Sequence, residues 1–419
     1  MDLKKTMQPP GYELYGPNPL FPDVPHAEWK ARIDKAQRLM MENHIDLLML
    51  WSPNNCRYFT AYRSIHWHIP SLQPMVALIP VAGEPVAVAG DLFRWTIEGM
   101  SWVRDIRTQM DMHQINSERD FPKAVATVAK DMGYGKGRIA LEMGQLGHMW
   151  IPRPQNDIQT LMGALPGAKF VDGDKVIWEC RMIKSPLEIE RLTKAADIHR
   201  KAMTAVAEKY RPGMTEKDVG KIFLLTAYEN DAEWVLRGHI SCGKDREGMW
   251  DTGYVPAAIS KGDYLSIDMV LNYEGYWADM GRMLNVGPAR EEWKKCYEVI
   301  CEGFDAGVAA MKPGATCKEV WEVINEVLGK GGVAGLELYG HAVGLDVHEP
   351  PVIGYTEEEA VLRPGMTFEI ESLGLGPGGL RKMGGVGPFQ YENLVIITET
   401  GSYPVFGLPR DIIEVSCYA

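Results

Sequence analysis

Residues 264–282 read YLSIDMVLNYEGYWADMGR. Tyr264 to Ile267 is apolar strand material ending in the carboxylate of Asp268, and Tyr273-Glu274-Gly275 supplies a turn. Asp279 follows eleven residues after Asp268. Two strands joined by that turn make a hairpin on which the two aspartates sit side by side. Aspartates beside a turn are also common on solvated hairpins, so the pair alone does not decide between a site and a surface loop.

Three stretches downstream bear on that choice. Gly340-His341-Ala342-Val343-Gly344-Leu345-Asp346-Val347-His348-Glu349-Pro350-Pro351 puts two histidines seven apart in a glycine-rich segment. In Gly365-Met366-Thr367-Phe368-Glu369-Ile370-Glu371 the alternation of a strand places Glu369 and Glu371 on one face. Gln390-Tyr391-Glu392-Asn393-Leu394-Val395-Ile396 is an apolar strand with a carboxylate near its start. Carboxylates and an imidazole within apolar strands are costly to bury unless something positive pairs them. Two divalent cations do so, and hard oxygens with one imidazole suit Mn, Fe, Co or Zn.

Upstream, RMIKSPLEIERL (181–192) opens a helix at Ser185-Pro186, with Glu188 and Glu190 in its first turn. The helix runs to about Tyr210, Arg211-Pro212-Gly213 stops it, and Thr215 caps the next. Met311-Lys312-Pro313-Gly314-Ala315-Thr316 repeats the theme and hints at an internal duplication. Before a change near Trp178 the chain alternates differently. A helix is predicted over 26–43 and a buried strand over 46–51, closed by a turn at Ser52-Pro53-Asn54-Asn55. Further strands are predicted over 75–80, 84–88 and 138–141, which makes this part α/β. The first two dozen residues, rich in Pro and Gly, wrap over a surface.

A chain of 419 residues exceeds what one core supports, so two domains are expected. With 46% apolar and 24% charged residues the composition is globular. The net charge of −12 argues against a nucleic-acid partner. No run reaches the roughly 18 to 20 apolar residues of a membrane span, and the N-terminal MDLKKTMQPPGYELYGPNP lacks the apolar core of a signal peptide. The seven cysteines show neither CxxC nor framework spacing, which reads as reduced thiols in a cytoplasmic protein.

The order Asp268, Asp279, then His341 in GHAVG, Glu371 after GMTF, and Glu392 before a strand resembles the pita-bread metallopeptidases of family M24. That family includes methionine aminopeptidase, Xaa-Pro aminopeptidase, prolidase and creatinase. RMIKSPLEIERL resembles the domain junction of the prolidase and creatinase branch, and GLDVHEPP is close to the form in Xaa-Pro peptidases. The resemblance covers most of the chain. It implies a creatinase-like α/β N-terminal domain over 1–178 and a duplicated α+β pita-bread catalytic domain over 179–419. It further implies that Asp268 chelates one ion and Asp279 bridges both. His341 and Glu371 would hold the other ion, and Glu392 would bridge again. Glu371 would carry the proton of an activated water, and His348 would hydrogen-bond the substrate carbonyl or the tetrahedral intermediate. A homodimer acting on a dipeptide or other small molecule is expected.

The chain departs from the peptidase pattern in two places. Where the peptidases carry a further histidine, twelve residues before Asp263, stands Asp251, which cannot donate a hydrogen bond when ionised. Where Xaa-Pro peptidases carry arginine, two residues before the last glutamate, stands Gln390, and no amide copies the guanidinium fork. Both changes point to a non-classical member. Trp250, beside Asp251, resembles the pattern of a metal-dependent dimethylsulfoniopropionate lyase of this family, which also lacks the histidine and has tryptophan at this place; ectoine hydrolase is another relative that acts on a small zwitterion. His66, Trp67 and His68 follow the segment that reaches the partner's active site in creatinase-like dimers, and there would gate the substrate. The readings are therefore a C–N hydrolase, alternatively a lyase on a small zwitterion, or a non-catalytic scaffold; five retained ligands argue against the last.

Overall fold

Apolar runs of strand length build the first sheet, and the computed structural model describes residues 14–68, 75–109, 121–144, 155–242, 253–357, 359–374, 389–405 and 408–416. Two compact units divide between Arg181 and Met182. In the first, the order is α1 (His26–Glu42), β1 (Leu47–Leu50), α2 (Pro53–Thr60), β2 (Met75–Pro80), β3 (Val86–Gly90), α3 (Arg94–Met100), β4 (Asp105–Gln109), α4 (Phe121–Asp131), β5 (Arg138–Leu141), α5 (Gln155–Ala164), β6 (Lys169–Asp172) and α6 (Asp174–Arg181). The strands form one mixed sheet in the order β4-β3-β2-β1-β5-β6. Central β1 is buried along its whole length between antiparallel β2 and parallel β5, which is why it reads as an unbroken apolar run. Helix α1 buries the stripe Trp29, Ile33, Ala36 and Met40.

Three local expectations change. Ser52-Pro53-Asn54-Asn55 is not a turn that closes a strand but the start of α2, with Pro53 in its first turn. The Glu142 carboxylate anchors that entry, accepting from the Trp51 and Ser52 N–H groups at 2.7 and 3.0 Å and from the Asn55 amide. So remote a partner leaves no trace in the local sequence. The strand predicted over 84–88 lies two residues later, because Pro85 has no N–H to give a ladder. Helix α6 runs through Trp178, where the composition changes, and the first unit ends three residues beyond it.

The second unit opens with α7 (Pro186–Lys209) and α8 (Glu216–Glu229), followed by β7 (Trp234–Cys242), β8 (Tyr264–Tyr273) and β9 (Tyr276–Val286). It continues with α9 (Glu291–Ala310), α10 (Cys317–Lys330), β10 (Leu338–Ala342), β11 (Glu349–Gly354), β12 (Thr367–Gly374), β13 (Phe389–Ile397), β14 (Ser402–Pro404) and β15 (Ile413–Val415). Reciprocal capping boxes start α7, α8 and α10, through Ser185 with Glu188, Thr215 with Asp218 and Thr316 with Glu319. The two threonine caps also make matching antiparallel bridges, to Ala258 and Val361, so the repeated helix pair is a repeated structural unit. One sheet runs β15-β9-β8-β7 and the other β11-β10-β12-β13-β14. Phe304 and Ile324 of the helices α9 and α10 pack with Phe368 and Val395 of the second sheet in one buried cluster.

The hairpin β8–β9 turns on Glu274-Gly275, both at positive φ (46° and 85°), the conformation of a two-residue type I′ turn. Strand β8 does not end at Asp268 but continues to Tyr273, so the carboxylate is held mid-strand. Among the described residues, no helix is long and apolar enough to cross a membrane.

Candidate metal centre

Register decides which side chains meet. On the hairpin Val270 faces Asp279 and Asp268 faces Gly281, so the two aspartates are diagonal neighbours on one face. On the second sheet His341 faces Glu369, and Glu371 faces Glu392. The donor atoms gather in three overlapping triads, Asp268 with Asp279 and Glu392, His341 with Glu371 and Glu392, and Asp279 with His341 and His348, each within 4.8 Å. Asp279, Glu392 and His341 each belong to two triads, and of these only the two carboxylates have a pair of oxygens with which to reach two ions. Donors from both sheets are needed to complete the set.

The carboxylates crowd together. Burial, and then the Asp268 charge, push Asp279 well above the usual carboxylate range. Glu392 is raised by burial and by Asp279, and Glu371 is pushed up to about 8 by burial and Asp268. Asp279 Oδ1 and Glu392 Oε2 are buried without a hydrogen-bond partner, which is costly unless a cation or proton satisfies them. Burial and the neighbouring His348 lower His341 to about 3, so its ring is neutral. With Nδ1–H donating to the Ala342 carbonyl at 3.1 Å, Nε2 keeps its lone pair for a ligand. A neutral imidazole among hard oxygens fits a pair of divalent ions.

The remaining predicted residues fall as follows. His348 is exposed, its ring 4.0 Å from that of His341 and nearly perpendicular to it. Gln390 is buried on β13, two residues before Glu392, and its Nε2 has no partner. It fills a hollow that exists because residue 281 is glycine, since a Cβ there would lie 1.9 Å from Gln390 Nε2 and 2.6 Å from Cδ. Gly281→Ala is therefore expected to displace Gln390 and to destabilise the fold by about 1–3 kcal/mol, read as a lower denaturant midpoint at unchanged slope. His66 lies in the first unit, in a single turn of 3-10 helix (Ile65–His68), its ring edge-on to Phe93 at 5.2 Å. The side chains of Trp67 and His68, and the whole of Trp250 and Asp251, lie outside the described residues.

Other residues of the centre were not assigned roles from the sequence. Glu369 is buried completely beside the triads, its Oε1 accepting from the Asp279 N–H at 3.1 Å. Burial, and after it the Glu371 and Asp268 charges, raise its pKa well above the ordinary value, against the opposing pull of the Asp279 N–H and Arg282. Alternation on β12 had flagged it, without a partner to explain it. Arg282, also fully buried, donates from Nη1 to the carbonyls of Gly281 and Glu392 and lies 4.0 Å over the Tyr391 ring, pinning β9 to β13. Lys184 and Glu349 form a buried ion pair at 2.9 Å that holds the residue next to His348.

Residues 190–399 match the model of metallopeptidase family M24, and residues 32–183 match the creatinase/prolidase N-terminal domain. The first match spans half of the chain. The chain belongs to family M24. It is 26% identical to the Xaa-Pro dipeptidase of Pyrococcus furiosus, over 92% of this chain and all of that one. Ectoine hydrolase of Halomonas elongata is 24% identical over 92% of this chain and 96% of its own. The crystal structure of the prolidase from Pyrococcus horikoshii OT3 superposes with a TM-score of 0.75 at 25% identity, covering 91% of this chain and 99% of that one. The fold is thus a creatinase-type N-terminal α/β domain followed by a pita-bread catalytic domain. The protein is a metal-dependent hydrolase of the M24 type, with a dinuclear divalent metal centre.

Proposed function

We propose that this M24 enzyme hydrolyses a C–N bond in a dipeptide or a small amide-type metabolite. The observation that carries the reading is the set of overlapping donor triads drawn from both sheets of the second unit. In our assignment Asp268 would hold one ion and His341 and Glu371 the other, with Asp279 and Glu392 shared between them. Two divalent ions bound there supply Lewis acidity and lower the pKa of water toward neutrality. Glu371 accepts the proton of the attacking water and returns it to the leaving nitrogen as the C–N bond breaks. A carboxyl pushed up to about 8 in the metal-free fold holds a proton at neutral pH, and one lowered again by cations can exchange it. His348 donates a hydrogen bond to the carbonyl oxygen as charge develops on it. Trp250, Asp251 and Gln390 are our candidates for substrate contacts, and His66, Trp67 and His68 are our candidates for gating the substrate.

His348→Ala is expected to leave the metal content unchanged while lowering kcat by about 100-fold. Metal analysis and turnover on the same sample check this. Loss of metal would instead make His348 a ligand through its triad with Asp279 and His341; unchanged turnover would make it a bystander.

The substrate is tested by loading the protein with Mn or Fe and offering Xaa-Pro and other dipeptides beside the zwitterions ectoine and dimethylsulfoniopropionate. Dipeptide cleavage would mean that the pocket works without the peptidase histidine, with Asp251 in its place. Cleavage of a zwitterion alone would mark a repurposed pocket. The lyase alternative gains no support from the relatives above, two of which are named as hydrolases or dipeptidases.

We further propose a homodimer in the cytoplasm, without nucleic-acid or membrane partners. The exposed apolar residues Leu225 and Tyr228 on α8, and Trp234 and Leu236 on β7, support the dimer. The cysteines, which show neither CxxC nor framework spacing, support the compartment. Sedimentation velocity checks the first, since a monomer at micromolar concentration contradicts it.

A further inference from the structure

The two sheets that supply the ligands must be held in register for one centre to form between them. Beside Asp279, strand β9 has β8 on one edge, while β15 joins its other edge only at Leu284 to Val286. Two alternate N–H groups on β9 are satisfied from the opposite half of the unit. Trp277 donates to the Gly344 carbonyl at 3.0 Å, and Asp279 donates to Glu369 Oε1 at 3.1 Å. The first tie is backbone to backbone, and any sequence provides it. The second depends on one side chain, and it ends on the backbone of the aspartate shared by two donor triads.

Glu369 is an expensive way to make that tie. It is 0% exposed and its Oε2 has no partner. A carboxyl group buried with an unpaired oxygen costs stability in a metal-free fold. A residue kept for packing alone serves better as an apolar side chain of the same length.

We propose that Glu369 is a positioning residue of the metal centre, tying the backbone of Asp279 to β12 so that ligands from the two sheets hold a two-ion spacing. The proposal rests on the assignment of Asp279 as a bridging ligand. Its signature is a pair of effects with opposite signs. Losing the tie weakens metal binding while removing an unpaired buried oxygen from the metal-free protein, whereas a residue that only packs would lower stability and leave ion affinity alone.

The experiment titrates the full, metal-stripped chain with Mn²⁺ by calorimetry and records the Tm of the same metal-free samples. Glu369→Met keeps length and removes the acceptor; Glu369→Gln keeps a carbonyl acceptor for the Asp279 N–H. Expected is a metal-free Tm for the Met variant at or above that of the wild type, with the weaker Mn²⁺ site bound about 10-fold or more less tightly. The Gln variant restores affinity to within about 3-fold of the wild type. A Met variant that binds both ions like the wild type overturns the proposal, as does a Gln variant as weak as Met, which would place the effect on charge. Should the Met variant fail to fold, Glu369→Gln decides alone by the same limits. A wild-type chain that takes up no Mn²⁺ at all overturns the metal-centre assignment itself, an outcome distinct from failure of the tie.

Discussion

Replacing Asp279 with alanine is expected to abolish metal binding and turnover together. The side chain is buried, lies on the face shared with Asp268, and takes part in two of the three donor triads. Without it neither ion keeps a complete set of oxygen ligands. Loss of the Lewis acid removes several kcal/mol of transition-state stabilisation, a fall in kcat/KM on the order of 1,000-fold or more. Metal analysis after dialysis and turnover on the same sample test this, and a variant that retains two ions per chain contradicts the bridging role. The metal-free variant should be no less stable than the metal-free parent, because the lost carboxylate is one that burial and Asp268 already disfavour in its charged form.

Metal removal is expected to give the second large effect, with a defined pH dependence. In the metal-free fold Asp279, Glu369, Glu371 and Glu392 all have raised pKa values, Glu371 reaching about 8 from an ordinary 4.5. Between those two values the native state binds more protons than the unfolded chain, so stability from these groups falls as pH rises. For Glu371 that contribution is complete below about 4.5 and lost as pH rises through about 8, and Asp279, Glu369 and Glu392 act in the same direction. Divalent ions replace the protons, so added Mn²⁺ should stabilise far more at pH 8 than at pH 5. At about 1,000-fold excess over Kd the gain is about 4 kcal/mol, or about 8–16 °C in Tm for a domain of 150–250 residues. Thermal melts at the two pH values, with and without Mn²⁺, measure it. An equal or larger shift at pH 5 would mean that the ions bind elsewhere.

Much of this was legible in the sequence because its causes are local. Ser185, Thr215 and Thr316 stand three residues before an acidic partner, and that spacing alone defines a capping box. Turn chemistry at Glu274-Gly275 predicts the hairpin, and period-2 alternation places Glu369 with Glu371. The start of α2 was missed because what holds it, Glu142, is 87 residues away from Asn55. Gly281 was missed for a related reason. Its meaning is the space that Gln390 occupies, and only packing between β9 and β13 reveals it.

The sequence by itself determined the α/β character of the first part, the order and spacing of the metal-ligand residue types and the repeated helix pair, which follow from periodicity and short-range chemistry, and its resemblance to family M24 implied the pita-bread fold of the second part. Only the tertiary structure decided how those residues share a centre. It sets Asp279 beside His341 and Glu392 across two sheets, gives Glu369 the N–H it accepts, and pins β9 to β13 through Arg282. Those relations are distances between strands far apart in the chain, and register and sheet packing set them where no local pattern can.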